Sequence, residues 1–563
     1  MMYLKEIVKK NKVWIGIYIV VGIVLAFLTN LSANYYQQLI DHFTAGTLTF
    51  RFIIIYGSVL LLICIGNYLD EYPGRKLENG IYLDLKVQAL KKVSCIDYQT
   101  YQSLGTGELL QKIESGSGAG KRILFDFYFE MARKLLPSIG FSMLFIWRLN
   151  TSIAYAVLAG YILVFVITNI LLRSLYHLKE KILNNEEQMT HFLTRGFMEM
   201  VTFRLHRKFK AEIAHANHAK TQIVDSKIKM SLIHEAFFTL FALLVTLIKI
   251  GIILYAWFTK SLTIGAVIAL ITLVDHAYTP IAIFNVLFVQ YKLDQSAFKR
   301  YTHFLDAKED KQLQIGEPLQ SLQGAFNICQ IDFAYSKQMI FKNLSLAIQA
   351  GEKIAFVGGS GSGKSTLVKL LIGLLKPTCG EIQIDGQALG KICLEDYYKQ
   401  ILYIPQESPI FDGTLRENLI FDKQIADEEI VAVLKHVCLE EWFTKLSHGL
   451  ETKLGERGIT LSGGERQRLA LARIWFQDSK VIILDEATSA MDNLTEEHVM
   501  KAVLEVAAPC TVITIAHRLN AIKDFDRILA FHMGTVVGEG HFNELLADND
   551  YFKELYHVGS LEE

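Results

Sequence analysis

The stretch Gly358–Thr366 reads GGSGSGKST and fits the phosphate-loop pattern G-x-x-x-x-G-K-[ST]. An apolar, β-prone run (KIAFV) precedes it and a helical pattern follows it, which is the strand, loop and helix context that the motif needs. Glycines let backbone N–H groups point inward at phosphate oxygens, and the helix start adds its positive dipole end. The predicted phosphate-binding residues are Gly358, Ser360, Gly361, Gly363, Lys364, Ser365 and Thr366. Lys364 is expected to reach the β- and γ-phosphates, and Ser365 to ligate Mg²⁺.

The composition indicates a membrane protein with more than one domain. The chain has 563 residues, of which 51% are hydrophobic, and the apolar excess lies in the first 300. The formal net charge of −1 gives no electrostatic reason to expect a nucleic-acid partner. Seven scattered cysteines without C-x-x-C spacing indicate reduced thiols rather than a disulfide framework or a metal site.

Six apolar segments are long enough to cross a lipid bilayer. They are expected near 13–36, 51–72, 123–146, 151–172, 234–258 and 263–290. The third is the weakest, because Asp126, Glu130, Arg133 and Lys134 fall in its first half, as in a cytoplasmic helix that runs into the membrane. The first span has no small-residue cleavage site after it, so it is interpreted as a retained anchor.

The links between these spans alternate in length and charge. Short loops carry about one basic residue each, whereas the links from span two to three and from four to five are long, basic and rich in helix formers. The positive-inside rule therefore places both long links and both termini in the cytoplasm. The long links are interpreted as helical hairpins, with turns at 97–104 and near 200–208.

The pattern changes to short strands and helices after a polar, irregular linker at 307–324. The predicted fold is an all-α, six-helix transmembrane domain at 1–306 followed by an α/β phosphate-loop ATPase domain at 325–563. In that domain the run VIILDE forms a buried strand that ends on Asp485 and Glu486. Ligands of open α/β sheets bind at this edge, where Asp485 suits Mg²⁺ and Glu486 suits the general base for an attacking water.

A second anion-binding helix start is predicted at LSGGE, 461–465, from Ser462 and the N–H groups of Gly463 and Gly464. One γ-phosphate cannot use two distant helix starts in one small domain without strain. Two copies of the domain facing head to tail would resolve this, because each copy would complete the site of the other.

The chain resembles the ABC transporters of the exporter type on several motifs together. These are GGSGSGKST, LSGGERQR, VIILDEATSAMD, His517 in ITIAHRL, Tyr335 in FAY, Gln406 in YIPQESPIF and the six-span layout, with Gly455–Gly458 (GERG) as a further match. The motif set is specific for the ATPase, and the membrane half is specific for architecture only. Met491 stands where the family usually has leucine.

The resemblance implies ATP and Mg²⁺ as ligands and a role for each matching position. Tyr335 would stack on adenine, Gln406 and Asp485 would complete the metal and water shell around Ser365, and Glu486 would be the base. His517 would contact the γ-phosphate, although a lone histidine is more often a packed core residue. Ser462, Gly463 and Gly464 would act across the dimer, and Asp492 would link its two sites. A homodimer is the simplest partner arrangement, and a heterodimer with a related chain remains open.

Three ionisable residues fall at membrane depth: Lys249 in span five, and Asp275 and His276 in span six. Such residues are candidates for function. Two interpretations stay open here. Lys249 and Asp275 form an ion pair, or the three residues line a polar cavity that touches substrate.

The resemblance thus implies an ATP hydrolase coupled to transport in a prokaryotic plasma (inner) membrane. The first hypothesis is export of an amphipathic small molecule, lipid or peptide. The second is import on the same fold, with a siderophore-like substrate. A soluble ATPase acting on DNA or ribosomes is disfavoured by the spans, and a membrane ATPase that senses without transport is a further alternative.

Overall fold

The computed structural model describes residues 2–104, 106–319, 321–336, 338–421, 423–455 and 461–562. The chain folds into two units. The first comprises Met1–Ser94 and Ser103–Ala307, and the second comprises Cys95–Gln102 and Lys308–Glu563. The expected match at Gly455–Gly458 falls mostly outside the described residues.

The described part of the first half of the chain is helical throughout. Its helices are α1 (Met2–Lys10), α2 (Lys12–Thr44), α3 (Phe50–Cys95), α4 (Tyr98–Leu104), α5 (Thr106–Lys121), α6 (Leu136–Leu149), α7 (Thr151–Met198), α8 (Met200–Leu205), α9 (Phe209–Thr259) and α10 (Ile264–Leu305). In the described residues α2, α3, α9 and α10 are long and apolar enough to cross a membrane. Of the remaining two predicted spans, 123–146 covers a π-helical stretch and most of α6, and 151–172 is the first part of α7.

The short connections have clear causes in the sequence. Asn150 caps α7 by accepting a hydrogen bond from the N–H of Ile153 (3.1 Å), and Thr263 caps α10 through Ala266 (3.1 Å). Lys260 ends α9 in the left-handed conformation with φ 48°. A cap and a left-handed residue satisfy orphan backbone groups at helix ends, so these loops need few residues.

The entry to the third span departs from the expected regular helix. Arg122–Phe129 and Met131–Leu135 form π-helical turns between α5 and α6. Charged side chains of this stretch find partners on neighbouring helices. Arg122 forms an ion pair with Asp294 (2.6 Å), and Arg133 pairs with Asp70. These pairs explain how a segment with so many charges runs into an apolar span.

The tip of the first long link, Cys95–Gln102, groups with the second compact unit, although it lies within the predicted domain 1–306. The N–H of Asp97 donates to the carbonyl oxygen of Lys308 (3.0 Å), and the N–H of Asp310 donates to the carbonyl oxygen of Cys95 (2.8 Å). The predicted linker is also packed rather than free, because Leu319 and Leu322 are buried in the core of the second unit. Sequence patterns missed this pairing because the two segments lie more than 200 residues apart.

The second unit contains two sheets. Its strands are β1 (Phe326–Tyr335), β2 (Gln338–Ile348), β3 (Lys353–Val357), β4 (Cys379–Ile384), β5 (Gln387–Ala388), β6 (Ile401–Ile404), β7 (Val481–Asp485), β8 (Thr511–Ile515), β9 (Arg527–His532) and β10 (Thr535–Gly540). An antiparallel sheet has the order β2-β1-β4-β5. The larger sheet has the order β10-β9-β3-β8-β7-β6 and is parallel except for β10.

Helices cover the larger sheet and form a smaller subdomain. They are α11 (Lys364–Leu371), α12 (Leu394–Tyr398), α13 (Leu415–Ile420), α14 (Asp427–His436), α15 (Glu440–Thr444), α16 (Gly463–Ala472), α17 (Asn493–Val506), α18 (Phe542–Asp548) and α19 (Asp550–Glu562). The strands β3, β7 and β8 are almost entirely buried, as continuous apolar runs in a covered parallel sheet should be. A helical domain followed by an α/β domain is the predicted fold class.

Candidate nucleotide site

The phosphate loop connects β3 to α11 and has the conformation that its glycines permit. Gly358, Gly361 and Gly363 have φ of 143°, 78° and 103°. A Cβ at Gly358 would lie 2.1 Å from the carbonyl oxygen of Phe531, so only glycine fits there. The ammonium of Lys364 donates to the carbonyl oxygens of Gly358 (2.7 Å) and Gly359 (3.0 Å), which holds it over the loop.

The register of the parallel sheet brings together three predicted side chains. Leu484 of β7 lies beside Ile404 of β6 and beside Thr514 of β8. Gln406 and Glu486 each lie two residues beyond this row, and His517 lies three beyond it, so all three emerge at the carboxyl edge of the sheet. The strands were predicted separately, and their pairing places these residues in one site.

Glu486 is at the centre of this group. Its Oε2 accepts a hydrogen bond from Nε2 of Gln406 (2.5 Å), and its Oε1 lies 2.7 Å from Nε2 of His517. Glu486 also has a positive φ of 52°, which is unusual for a residue with a side chain and occurs at functional sites. His517 is therefore not a packed core residue but part of the site.

Asp485 faces the phosphate loop from the end of β7. Its Oδ1 lies 3.4 Å from Oγ of Ser365, and its Oδ2 accepts a hydrogen bond from the hydroxyl of Tyr403 (3.2 Å). Burial raises the pKa of Asp485, and the hydrogen bond from Tyr403 opposes this. Burial also raises the pKa of Tyr403, as do Asp485 and, more weakly, Tyr98. Burial lowers the pKa of Lys364, against the effect of Glu486 and Asp485.

The LSGGE segment forms the start of α16 as expected. Ser462 caps the helix, with its Oγ accepting from the N–H of Glu465 (3.3 Å), while the N–H of Ser462 donates to the Glu465 carboxylate (2.7 Å). This reciprocal capping box leaves the N–H groups of Gly463 and Gly464 at the helix N-terminus. In the described part of the chain, no hydrogen bond or ion pair joins 462–464 to 358–366.

Gln467 is a site residue that the sequence reasoning missed. Its side chain accepts from the N–H of Ala490 (2.8 Å) and donates to Oγ of Ser489 (3.0 Å), which ties α16 to the turn after Glu486. Gln467 lies one helical turn after Gly463 in the motif LSGGERQR. Residues at this spacing share one face of a helix, so the sequence could have predicted that Gln467 faces the site.

Asp492 caps a helix and Tyr335 ends a strand. Asp492 caps α17 through the N–H of Thr495 (3.0 Å), and this hydrogen bond lowers the pKa of Asp492. Tyr335 ends β1 and packs edge-on against Phe333, with ring centroids 5.0 Å apart. The ring is half-buried on the antiparallel sheet, as a stacking platform would be.

The three ionisable residues at membrane depth belong to the first unit of the chain. Nζ of Lys249 in α9 is 2.6 Å from Oδ1 of Asp275 in α10. The first of the two open interpretations, an ion pair, is therefore the arrangement that the structure has. His276 is half-buried, and its backbone carbonyl accepts a hydrogen bond from Ser138 (3.1 Å).

A phosphate loop, a carboxylate with two polar partners and long apolar helices in one chain define a membrane-bound nucleotide hydrolase. Comparison with known proteins agrees. A family model described as "ABC transporter" matches residues 341–489, and one described as "ABC transporter transmembrane region" matches residues 15–280. The chain belongs to the ABC transporter family, and its ATPase domain binds and hydrolyses ATP to drive transport.

Relatives and a solved structure are similar over different lengths. The chain is 35% identical to the ABC transporter ATP-binding protein YwjA of Bacillus subtilis over 53% of each chain. It is 28% identical to a multidrug resistance ABC transporter ATP-binding and permease protein of Lactococcus lactis, over 84% of this chain and 81% of that one. The structure of a bacterial Atm1-family ABC exporter with ATP bound covers 98% of both chains at 23% identity and a TM-score of 0.83, and it establishes the exporter-type fold.

Proposed function

We propose that the protein is an exporter that works as a pair of identical chains in a prokaryotic plasma membrane. Its cargo would be an amphipathic small molecule, lipid or peptide. The proposed pairing of two chains rests on the separation of two anion-binding elements. The phosphate loop and the start of α16 both suit anions, yet no hydrogen bond or ion pair among the described residues joins them. A second copy, facing the first head to tail, would bring its own α16 to the phosphate loop.

In each composite site the residues would divide the work. Lys364 and the loop N–H groups would hold the β- and γ-phosphates, and Tyr335 would stack on adenine, a contact worth about 1–3 kcal/mol. Ser462 and the N–H groups of Gly463 and Gly464 from the second copy would hold the γ-phosphate. Glu486 would take a proton from the attacking water.

A divalent cation fits the oxygen atoms next to the loop. The hydroxyl of Ser365 and the carboxylate of Asp485 lie 3.4 Å apart, and hard oxygen donors of this kind suit Mg²⁺, with the amide of Gln406 as a further donor. The bound ion would neutralise phosphate charge. Gln406 and His517 would meanwhile hold the Glu486 carboxylate in position.

Closure of the paired ATPase domains would drive alternating access. ATP binds the closed pair more tightly than the open one, so it shifts the equilibrium between inward- and outward-open states. The short helices α4 and α8, at the tips of the two long cytoplasmic links, would carry this motion to the spans. Both termini and the ATPase domain would face the cytoplasm, as the basic links indicate.

Complementation between two defective chains tests the composite site. A Lys364→Ala chain lacks phosphate binding, and a Ser462→Arg chain lacks a usable α16 start. A mixed dimer of the two has both defects in one site and an intact second site. We expect each variant alone to be inactive as an ATPase and the co-expressed pair, purified on two tags, to regain activity.

The control for this experiment is a chain that carries both substitutions, co-expressed with a Lys364→Ala chain. Every site of that mixed dimer is defective, so it should remain inactive. Thermal unfolding checks that both variant chains are folded. If they are and the first pair regains no ATPase activity, each site lies within one chain. ATPase activity of the unmodified chain, purified without any related chain, would exclude an obligatory heterodimer.

Sidedness of transport separates export from the alternative of siderophore-like import. In inverted vesicles, ATP added outside should drive an exported substrate inward. A screen of ATPase stimulation over peptides, lipids, drugs and siderophores identifies the substrate to be used. Accumulation only in right-side-out vesicles supplied with internal ATP would establish import instead.

A further inference from the structure

Tyr403 in β6 contacts the carboxylate of Asp485, and the proposed function gives Tyr403 no role. The hydroxyl of Tyr403 donates to Oδ2 of Asp485 at 3.2 Å, while Oδ1 of the same carboxylate faces Oγ of Ser365 at 3.4 Å. Each carboxylate oxygen thus has one side-chain partner among the described residues. The hydroxyl of Tyr403 therefore restricts the rotation of the Asp485 carboxylate and keeps one oxygen directed at the phosphate loop.

The ring of Tyr403 lies on a core shared with the tip of the first long link. Tyr98, the first residue of α4, packs against the same hydrophobic cluster as Tyr403. Backbone hydrogen bonds from Asp97 to Lys308 and from Asp310 to Cys95 hold the tip segment Cys95–Gln102 in place. A shift of this segment therefore moves Tyr98 against the cluster that supports Tyr403.

We propose that Tyr403 is a positioning residue that fixes the orientation of the Asp485 carboxylate and ties it to the tip segment through Tyr98. This inference rests on the proposed role of Asp485 at the Mg²⁺ site. It adds a route by which the position of the first long link changes the affinity of that site. Groups that orient a metal-binding carboxylate typically affect metal affinity 10- to 100-fold.

The first experiment removes only the hydroxyl. Tyr403→Phe keeps the ring and its packing. With the full-length protein in nanodiscs, binding of a fluorescent ATP analogue is titrated with Mg²⁺ at low temperature. We expect the Mg²⁺ concentration at half-maximal binding to rise about tenfold, and nucleotide binding in EDTA to be unchanged. A residue with a merely structural role would lower the unfolding temperature without moving the Mg²⁺ midpoint.

Tyr398→Phe is the matched control. Tyr398 lies in α12 and packs against the same core, but among the described contacts its hydroxyl makes none with Asp485. Its Mg²⁺ midpoint should equal that of the unmodified protein. A midpoint of Tyr403→Phe within twofold of this control would overturn the proposal.

The second experiment tests the connection to the tip. Tyr98→Ala removes the ring from the cluster and should raise the Mg²⁺ midpoint a few-fold in the unmodified protein, but not in the Tyr403→Phe background. Coupled residues show this non-additivity in a double-mutant cycle. Independent, multiplicative effects of the two substitutions would refute the relay.

Asp485→Asn separates failure of this inference from failure of the proposed function. It should abolish the Mg²⁺ dependence of nucleotide binding. If Asp485→Asn has this effect and Tyr403→Phe has none, the inference fails and the metal role of Asp485 stands. If neither substitution changes the Mg²⁺ dependence, the proposed metal site itself is wrong.

Discussion

Glu486 combines three properties that rarely occur together in one residue. It follows a buried strand, it has a φ of 52°, and its two carboxylate oxygens contact Gln406 and His517. Strain of this kind persists only where the surrounding structure enforces it, and here the hydrogen bond from its own N–H to the carbonyl of Ile515 (3.1 Å) does so. The backbone thus presents the carboxylate in one orientation to the site.

Replacing Glu486 with glutamine keeps the shape and removes the base. We expect Glu486→Gln to lower ATP hydrolysis about 10²- to 10⁴-fold, the usual contribution of a general base, while ATP binding is retained. Trapped ATP after rapid desalting measures this, and transport should stop as well. Glu497→Gln, at an exposed position of α17, is the matched control and should behave as the unmodified protein. Transport that continues without hydrolysis would contradict the pump.

The buried carboxylate of Asp485 gives a pH-dependent prediction. Its pKa is raised in the folded state, so the folded protein holds this proton more tightly than the unfolded chain. Its contribution to stability is therefore present at pH values below the unfolded pKa and is lost as the pH rises through the folded pKa.

Asp485→Asn removes that ionisation. In EDTA, we expect the variant to unfold at a higher temperature than the unmodified protein near pH 8, and the difference to shrink towards pH 4. Thermal unfolding across this range measures it. A difference that is constant with pH would show that Asp485 does not titrate differently in the folded protein.

At the scale of elements, α9 and α10 are joined at membrane depth by Lys249 and Asp275 (2.6 Å). Breaking a charge pair in an apolar environment leaves an uncompensated charge, whereas neutralising both partners does not. The ion pair can hold the two helices together, and it can also lie next to transported substrate. The two roles give different results in a cycle of variants.

We expect Asp275→Asn to destabilise the protein and the double variant Lys249→Gln with Asp275→Asn to regain most of that stability. If the pair is structural only, the double variant also regains basal and substrate-stimulated ATPase. If Asp275 has the predicted substrate role, Asp275→Ala should alter stimulated ATPase more than basal ATPase, and the double variant should not restore stimulation. Equal loss of both activities would refute the substrate role.

At the scale of the whole molecule, an apolar tip is exposed between α7 and α9. Phe197 and Met198 are 82% and 77% exposed, and Val201 and Leu205 are 65% and 75% exposed. Apolar side chains that cluster at the exposed tip of a basic hairpin are typical of a surface that another protein covers. In the proposed pair of chains, we expect an ATPase domain of the pair to cover this surface.

Polar substitution at this tip should uncouple the two activities. We expect the double variant Phe197→Ser with Leu205→Ser to keep basal ATPase within about twofold, because substitutions at exposed positions seldom disturb folding. It should lose most substrate stimulation and transport, because the apolar contact between the tip and the ATPase domain is weakened. Val224→Ser, at a 44% exposed position of α9 away from the tip, is the control. Unchanged stimulation in the tip variant would exclude this surface from coupling.

The sequence by itself determined the class of fold and predicted most residues of the candidate nucleotide site. Local motifs sufficed for Gly358–Thr366 and for Ser462–Gly464, because a phosphate loop and a helix cap are made by residues that are neighbours in the chain. Apolar runs of sufficient length predicted the spans for the same reason. The identity of the family followed from the motifs together.

The tertiary structure alone decided the contacts between distant segments. The pairing of β6, β7 and β8 brings Gln406, Glu486 and His517 together across more than 100 residues, and Tyr98 and Tyr403 pack against the same core. The π-helical entry to the third span and the inclusion of Cys95–Gln102 in the second unit have the same origin. Each depends on packing and backbone pairing between segments remote in sequence, which local propensity does not encode.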